Sequence, residues 1–227
     1  MRVVKPPILI INFKNYSEAQ GESGLGLARN IERAASESSA SLALAPPTPL
    51  LAKVIEEVKL PIFAQHVDST DVESSTGSIT AASLASIGCA GSIINHSERR
   101  LAWEQIAKSV SLLKREGLLS VLCARDASEA GQLAELDPDF IAVEPPELIG
   151  TGRAVSRVSP AAVIDAVRAI DRINPRTIPL CGAGITEGAD VVEALRLGVK
   201  GVLLSSAVVK NANPYRKVLE LSRALTG

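Results

Sequence analysis

Only two histidines occur in this chain of 227 residues, and only three cysteines, so any chemistry that needs either side chain has few places to sit. Long apolar runs are missing too. The longest, such as Ile8-Leu9-Ile10-Ile11, are far too short to span a bilayer. No charged start followed by an apolar core and a small-residue cleavage site opens the sequence, and the reading is a soluble cytoplasmic protein with no membrane partner. An excess of charge of one sign is absent as well. Lys plus Arg number 24 against 25 for Asp plus Glu, a net charge of −1, and no basic stripe with interleaved aromatics suggests a nucleic-acid surface. The expected partner is a small molecule, met by local charge. Cys89, Cys123 and Cys181 are odd in number, far apart and without Cys-x-x-Cys spacing, which favours buried free thiols over a metal site or a disulfide.

What is present is alternation. Short apolar, β-branched runs recur between longer stretches of helical period, the pattern of a parallel sheet with crossover helices. The runs at 8–13, 42–45, 62–65, 91–95, 118–124, 140–143, 177–181 and 201–204 predict eight strands. Helices are expected at about 24–38, 50–58, 79–87, 104–116, 127–136, 160–173, 188–197 and 214–225. Ser159-Pro160 and Asn213-Pro214 read as helix starts, and Gly117 and Gly198 as helix stops. Eight βα units in this length fit an α/β fold of the (β/α)8 TIM barrel type, a single domain over residues 1–227. An open doubly wound sheet is the rival, because periodicity does not show closure. Its usual G-x-G-x-x-G signature after the first strand is missing after Phe13.

In a barrel the residues just past each strand converge on one face. The first unit delivers Asn12-Phe13-Lys14, and a Lys aimed into the mouth beside Asn12 would hold a phosphate or stabilise an oxyanion, unless it is simply a solvated charge. After the fourth strand come Asn95-His96-Ser97-Glu98-Arg99-Arg100. If a short helix starts at Ser97, its positive end disfavours protonation of His96, leaving a neutral imidazole able to donate to a carbonyl. His66 is read as a hydrogen-bonded structural residue. Glu144 ends the sixth strand ahead of Pro145-Pro146-Glu147-Leu148-Ile149-Gly150-Thr151-Gly152. A carboxylate there, before a loop stiff at its entry and glycine-rich at its tip, suits a base under a lid; an ordinary surface connection is the alternative. The turns Cys181-Gly182-Ala183-Gly184 and Leu204-Ser205-Ser206-Ala207 offer backbone amides at the frequent phosphate position of such barrels.

Asn12-Phe13-Lys14, Asn95-His96-Ser97-Glu98-Arg99 and Val143-Glu144-Pro145 with Ile149-Gly150-Thr151-Gly152 stand in the order found in triosephosphate isomerases. The resemblance runs from the first strand to the eighth. With Gln65-His66-Val67-Asp68 and Pro145-Pro146-Glu147-Leu148, the chain resembles most the shorter archaeal branch. That resemblance implies cofactor-free, metal-free interconversion of dihydroxyacetone phosphate and D-glyceraldehyde 3-phosphate, in glycolysis and gluconeogenesis. It implies Glu144 as base, His96 as neutral electrophile, Lys14 as positive charge and Asn12 as a substrate-positioning group; the pairing of a Glu base with a neutral His in this family is a standard case of pKa tuning. Glu98 is implied as a supporting acid that orients the Lys. Phe13, Ile149, Gly150, Gly184, Ser205 and Ser206 are implied as substrate and phosphate contacts, with a lid from Pro145 to about Ala154. The loop Asp68 to Ser78, containing Thr76-Gly77, resembles one that inserts into a neighbouring subunit, so a homo-oligomer is expected, a tetramer before a dimer. Longer members differ in two turns, having an aromatic at the position of Cys181 and a glycine pair at Ser205 and Ser206.

Two other functions remain compatible with the barrel. One is a phosphosugar aldolase using Lys14 as a Schiff-base nucleophile. The other is a non-catalytic barrel that keeps its phosphate turns as a binding module.

Overall fold

The computed structural model describes residues 4–38, 40–145 and 154–226. Eight strands form, all parallel: β1 Ile8–Asn12, β2 Ser41–Ala45, β3 Phe63–Ala64, β4 Gly91–Ile94, β5 Leu119–Ala124, β6 Phe140–Val143, β7 Ile178–Cys181 and β8 Gly201–Leu204. Their order is β2-β1-β8-β7-β6-β5-β4-β3. A bridge between Leu44 and Ile62, with the Leu44 N–H donating to the Pro61 carbonyl at 3.0 Å, joins the two end strands. The sheet therefore curls on itself as a (β/α)8 barrel, and the open doubly wound alternative falls.

Strand periodicity of two divides the core. Ile8, Ile10, Val121, Phe140 and Ala142 point into the barrel and fill it. Leu9, Ile11, Leu122, Ile141 and Val143 point outward and pack beneath the helices. The helices are α1 Gly21–Ser38, α2 Leu51–Glu57, α3 Ala81–Ser86, α4 Trp103–Arg115, α5 Ala127–Ala134, α6 Val155–Val158, α7 Pro160–Ile173, α8 Gly188–Arg196, α9 Ser206–Val209 and α10 Pro214–Thr226. Side chains cap several of them. Thr80 accepts from the Ser83 N–H, Asp126 from the Glu129 N–H and Asn213 from the Arg216 N–H. Gly117 and Gly198 take φ of +69° and +103°, the left-handed conformation that ends a helix without strain only for glycine.

Of the local expectations the Ser159-Pro160 helix start holds with a refinement, the helix at Ser97 is overturned, and two short helices were not anticipated. Ser159 stands at the start of α7, but its side chain makes no capping bond, and Pro160 supplies the start through its fixed φ. Residues 97–99 form a turn, with the Arg99 N–H donating to the His96 carbonyl at 2.8 Å, and no helix begins at Ser97. The short helices α6 and α9 have no counterpart in the sequence pattern, since four residues are little more than one turn and carry no legible period.

Candidate active site

The C-terminal ends of β1, β4, β6, β7 and β8 surround one cleft of ≈ 60 Å³, lined by Asn12, Lys14, His96, Glu144, Gly184, Ser205 and Ser206 among others. The same alternation that fills the barrel aims the polar groups. Asn12 continues the inward series Ile8, Ile10, and Glu144 continues Phe140, Ala142.

Glu144 is 4% exposed, and its Oε2 has no hydrogen-bond partner among the described residues. Removal from water disfavours the charged form and raises its pKa from 4.5 to about 7; the Cys123 thiol on β5 and the positive charge of Lys14 pull in the other direction. Its backbone is fixed from both sides, its N–H donating to the Ala124 carbonyl at 2.7 Å and the Gly182 N–H donating to the Val143 carbonyl at 3.0 Å.

His96 Nε2 lies 3.8 Å from Glu144 Oε1. The Glu98 N–H donates to His96 Nδ1 at 3.2 Å, so Nδ1 is the acceptor and Nε2 carries the proton in the neutral ring. Burial lowers the pKa of His96 from 6.5 to about 4, with Lys14 adding to the fall and Glu98 opposing it. The ring is neutral for the reason the sequence suggested in outcome but not in cause: desolvation and one turn amide take the place of the expected helix end. His66 is a different case. It is buried and bonded through Nε2 to Asp68 Oδ1 at 3.0 Å, in keeping with a structural role.

Lys14 holds a φ of +49°, unusual for a residue with a Cβ. The Asn12 side chain supports that turn by accepting from the Lys14 N–H at 2.9 Å, and the Gln65 amide donates to the Lys14 carbonyl at 3.1 Å and to the Ala45 carbonyl at 2.9 Å. Lys14 Nζ meets Glu98 Oε1 at 2.7 Å, which brings the expected supporting acid to its lysine. In the sequence Gln65 stands only within the Gln65-His66-Val67-Asp68 motif; a strand-end amide gives no sign there of what it will bridge.

The two small-residue turns after β7 and β8 converge on the same cleft. Gly184 has φ +72°, and Ser205 precedes α9 with its Oγ buried and without a hydrogen-bond partner among the described residues. Phe13 does not join them: it is fully buried on the outward side of β1 with Leu9 and Ile11, because it lies one residue out of phase with Asn12. Ile149 and Gly150, with most of the expected lid, lie outside the described residues. Gly182 carries an unforeseen role. A Cβ there would stand 2.4 Å from Glu144 Cγ and 2.9 Å from Oε1, so a missing side chain makes room for the carboxylate.

Two measurements follow from this geometry. Gly182→Ala is expected to leave the protein folded but displace Glu144 and lower kcat by ~100-fold, the scale for an ångström-sized misplacement; steady-state kinetics with a circular-dichroism melt checks both halves. Because the folded-state pKa of Glu144 lies above its unfolded value, its contribution favours folding fully below about 4.5 and is lost as pH rises through about 7. Glu144→Gln is therefore expected to be more stable than the parent by up to ~3 kcal/mol at about pH 9, with the difference vanishing near pH 4.5, by urea denaturation.

Comparison with known proteins gives a consistent answer. The family model described as triosephosphate isomerase matches residues 7–223. The triosephosphate isomerase of Cenarchaeum symbiosum (strain A) is 45% identical over 224 residues, 99% of this chain and 100% of that protein. That of Methanocaldococcus jannaschii is 42% identical over 214 residues, 94% of this chain and 98% of its own. The crystal structure of triosephosphate isomerase from Bartonella henselae superposes with a TM-score of 0.73 over 97% of this chain and 98% of the other, and at 21% identity it bears on the fold alone. With the family model spanning all eight strands and curated relatives aligned nearly end to end, the chain belongs to the triosephosphate isomerase family and is an intramolecular isomerase.

Proposed function

We propose that the chain interconverts dihydroxyacetone phosphate and D-glyceraldehyde 3-phosphate through an enediolate, with Glu144 as the base. The observation that carries this reading is the pair formed by Glu144 and His96, 3.8 Å apart in one cleft, their pKa values moved in opposite directions to about 7 and about 4. Glu144 takes the proton from the carbon beside the carbonyl and returns it to the neighbouring carbon. The Nε2–H of His96 donates to the carbonyl oxygen and passes protons between the two enediolate oxygens. Lys14 offsets the negative charge of intermediate and phosphate, and Asn12 and Glu98 hold Lys14 in place. Gly184, Ser205 and Ser206 receive the phosphate. Residues 145–154 act as the lid, with Ile149 and Gly150 on the phosphate. Phe13 serves only as packing behind β1.

Neither rival accounts for these groups. A Schiff-base aldolase needs a nucleophilic Lys14, whose Nζ instead donates to Glu98, and leaves Glu144 and His96 without roles. A binding module needs no buried base.

The chain acts in glycolysis and gluconeogenesis in the cytoplasm, as one domain over residues 1–227, and as a homo-oligomer, a tetramer before a dimer. Free, buried Cys89, Cys123 and Cys181 suit a reducing compartment. Beside Lys14 and Glu98 a cavity of ≈ 540 Å³, also lined by Thr48, Gln65 and Arg99, has the size and position to receive a loop from a second copy. The loop Asp68 to Ser78 suits that task, pinched at its base where the Asp68 N–H donates to the Ile79 carbonyl at 2.8 Å and with Val72 exposed.

Purified protein is expected to isomerise glyceraldehyde 3-phosphate in a coupled assay, and Glu144→Gln of confirmed fold to lose at least ~100-fold in kcat. A folded parent that binds the substrate without turnover would instead favour the binding module. Since Glu144 must be ionised, kcat/KM should rise with pH through about 7 and level above it, once ionisation of the substrate phosphate at about 6 is divided out. His96, lowered to about 4, should add no second limb above about pH 5. Light scattering at micromolar protein should return a multiple of the 23.8 kDa chain mass; monomer alone would sink the oligomer.

A further inference from the structure

Behind the seventh turn lies a buried carboxylate that the reaction does not use. Asp190, in the first turn of α8, has a side chain only 3% exposed. Its Oδ2 accepts from the Thr186 N–H at 2.9 Å, the Thr186 hydroxyl at 3.1 Å and the Glu187 N–H at 3.0 Å. Its Oδ1 takes Arg157 Nε at 2.8 Å, and Arg157 Nη2 also meets Glu187 Oε1 at 2.8 Å. An acid three residues into a helix commonly bonds one amide at the helix start. Here two further bonds go to Thr186, and an ion pair arrives from α6, in a different βα unit.

Thr186 lines the cleft together with Gly182, Gly184 and Ile185. A turn containing two glycines, one at φ +72°, has little conformational preference of its own and needs a template. The Asp190 carboxylate is that template from below, and Lys217 Nζ, donating to the Thr186 carbonyl at 3.2 Å, steadies it from α10. Arg157 ties the arrangement to unit six, where α6 follows the buried Ala154. The Ser156 hydroxyl adds a longer bond of 3.4 Å to the Asp190 carbonyl.

We infer that Asp190, held by Arg157, is a positioning residue that sets the seventh turn for gripping the substrate phosphate. The inference rests on the isomerase reading above and adds to it two residues that touch no substrate. Because they act on the phosphate turn and not on the reacting carbons, their loss is felt by the phosphate end of the substrate. Loss of a charged hydrogen-bond partner sets the scale at about tenfold.

The test compares Asp190→Asn, Arg157→Ala and Arg157→Lys with the parent. Each is assayed on glyceraldehyde 3-phosphate, on D-glyceraldehyde, which lacks the phosphate, and for competitive inhibition by inorganic phosphate. In Asp190→Asn and Arg157→Ala, KM for the phosphorylated substrate and the inhibition constant of phosphate are expected to rise about tenfold, with kcat within about threefold. Activity on D-glyceraldehyde should stay within about twofold of the parent, and Arg157→Lys should recover most of the loss. Equal losses on both substrates would mean general damage and overturn the inference, as would an unchanged KM and inhibition constant in folded variants. Should Asp190→Asn not fold, the half-exposed Arg157 pair of variants decides the matter alone. A parent that fails to isomerise glyceraldehyde 3-phosphate overturns the isomerase reading itself; an active parent with indifferent variants overturns only the positioning role.

Discussion

An ionisable carboxylate kept out of water is the constraint around which the barrel mouth is organised. Burying an isolated charge is so unfavourable that a side chain like Glu144 is tolerated only where strand pairing leaves it no alternative path. β6 is paired with β5 and β7 over four residues on each side, so the position of Glu144 is set by the sheet and not by its own contacts. The neighbours then divide the work. Gly182 yields space, the Cys123 thiol and Lys14 favour the ionised form, and His96 Nε2 stands 3.8 Å from its Oε1.

Lys14 matters to both members of that pair. Its positive charge lowers the pKa of Glu144 and that of His96 together, favouring the anionic carboxylate and the neutral ring at the same pH. One cation thus supports two opposite protonation states. Holding it there requires a left-handed backbone, and Asn12, Gln65 and Glu98 each bond a different atom of the residue to keep it so.

Much of this was legible in the chain because it depends on local period. All eight strands lie within two residues of the apolar runs that announced them, and the strand-end residues Asn12, Lys14, His96 and Glu144 line one cleft. The misses have a different physics. Phe13 was counted with its neighbours although alternation sends it outward, a matter of phase that the motif obscured. Gly182 is informative for what it lacks, and only coordinates show that Glu144 occupies the space. Asp190, Arg157 and Gln65 act across units far apart in sequence, where neither period nor propensity reaches. A turn at 97–99 stands where a helix was anticipated, and its Glu98 amide at Nδ1 fixes the tautomer of the ring.

The seam of the barrel has a mechanical consequence. Where β2 meets β3 the ladder shrinks to the Leu44–Ile62 bridge, and β3 itself is only two residues long. Directly above that weak joint, Gln65 clasps the Ala45 and Lys14 carbonyls with one amide nitrogen. One side-chain amide thus ties the carbonyl that ends β2 to the backbone of the lysine, so the end of the second strand and the left-handed turn share a single donor. The closure of the sheet and the placement of the cation are one and the same joint.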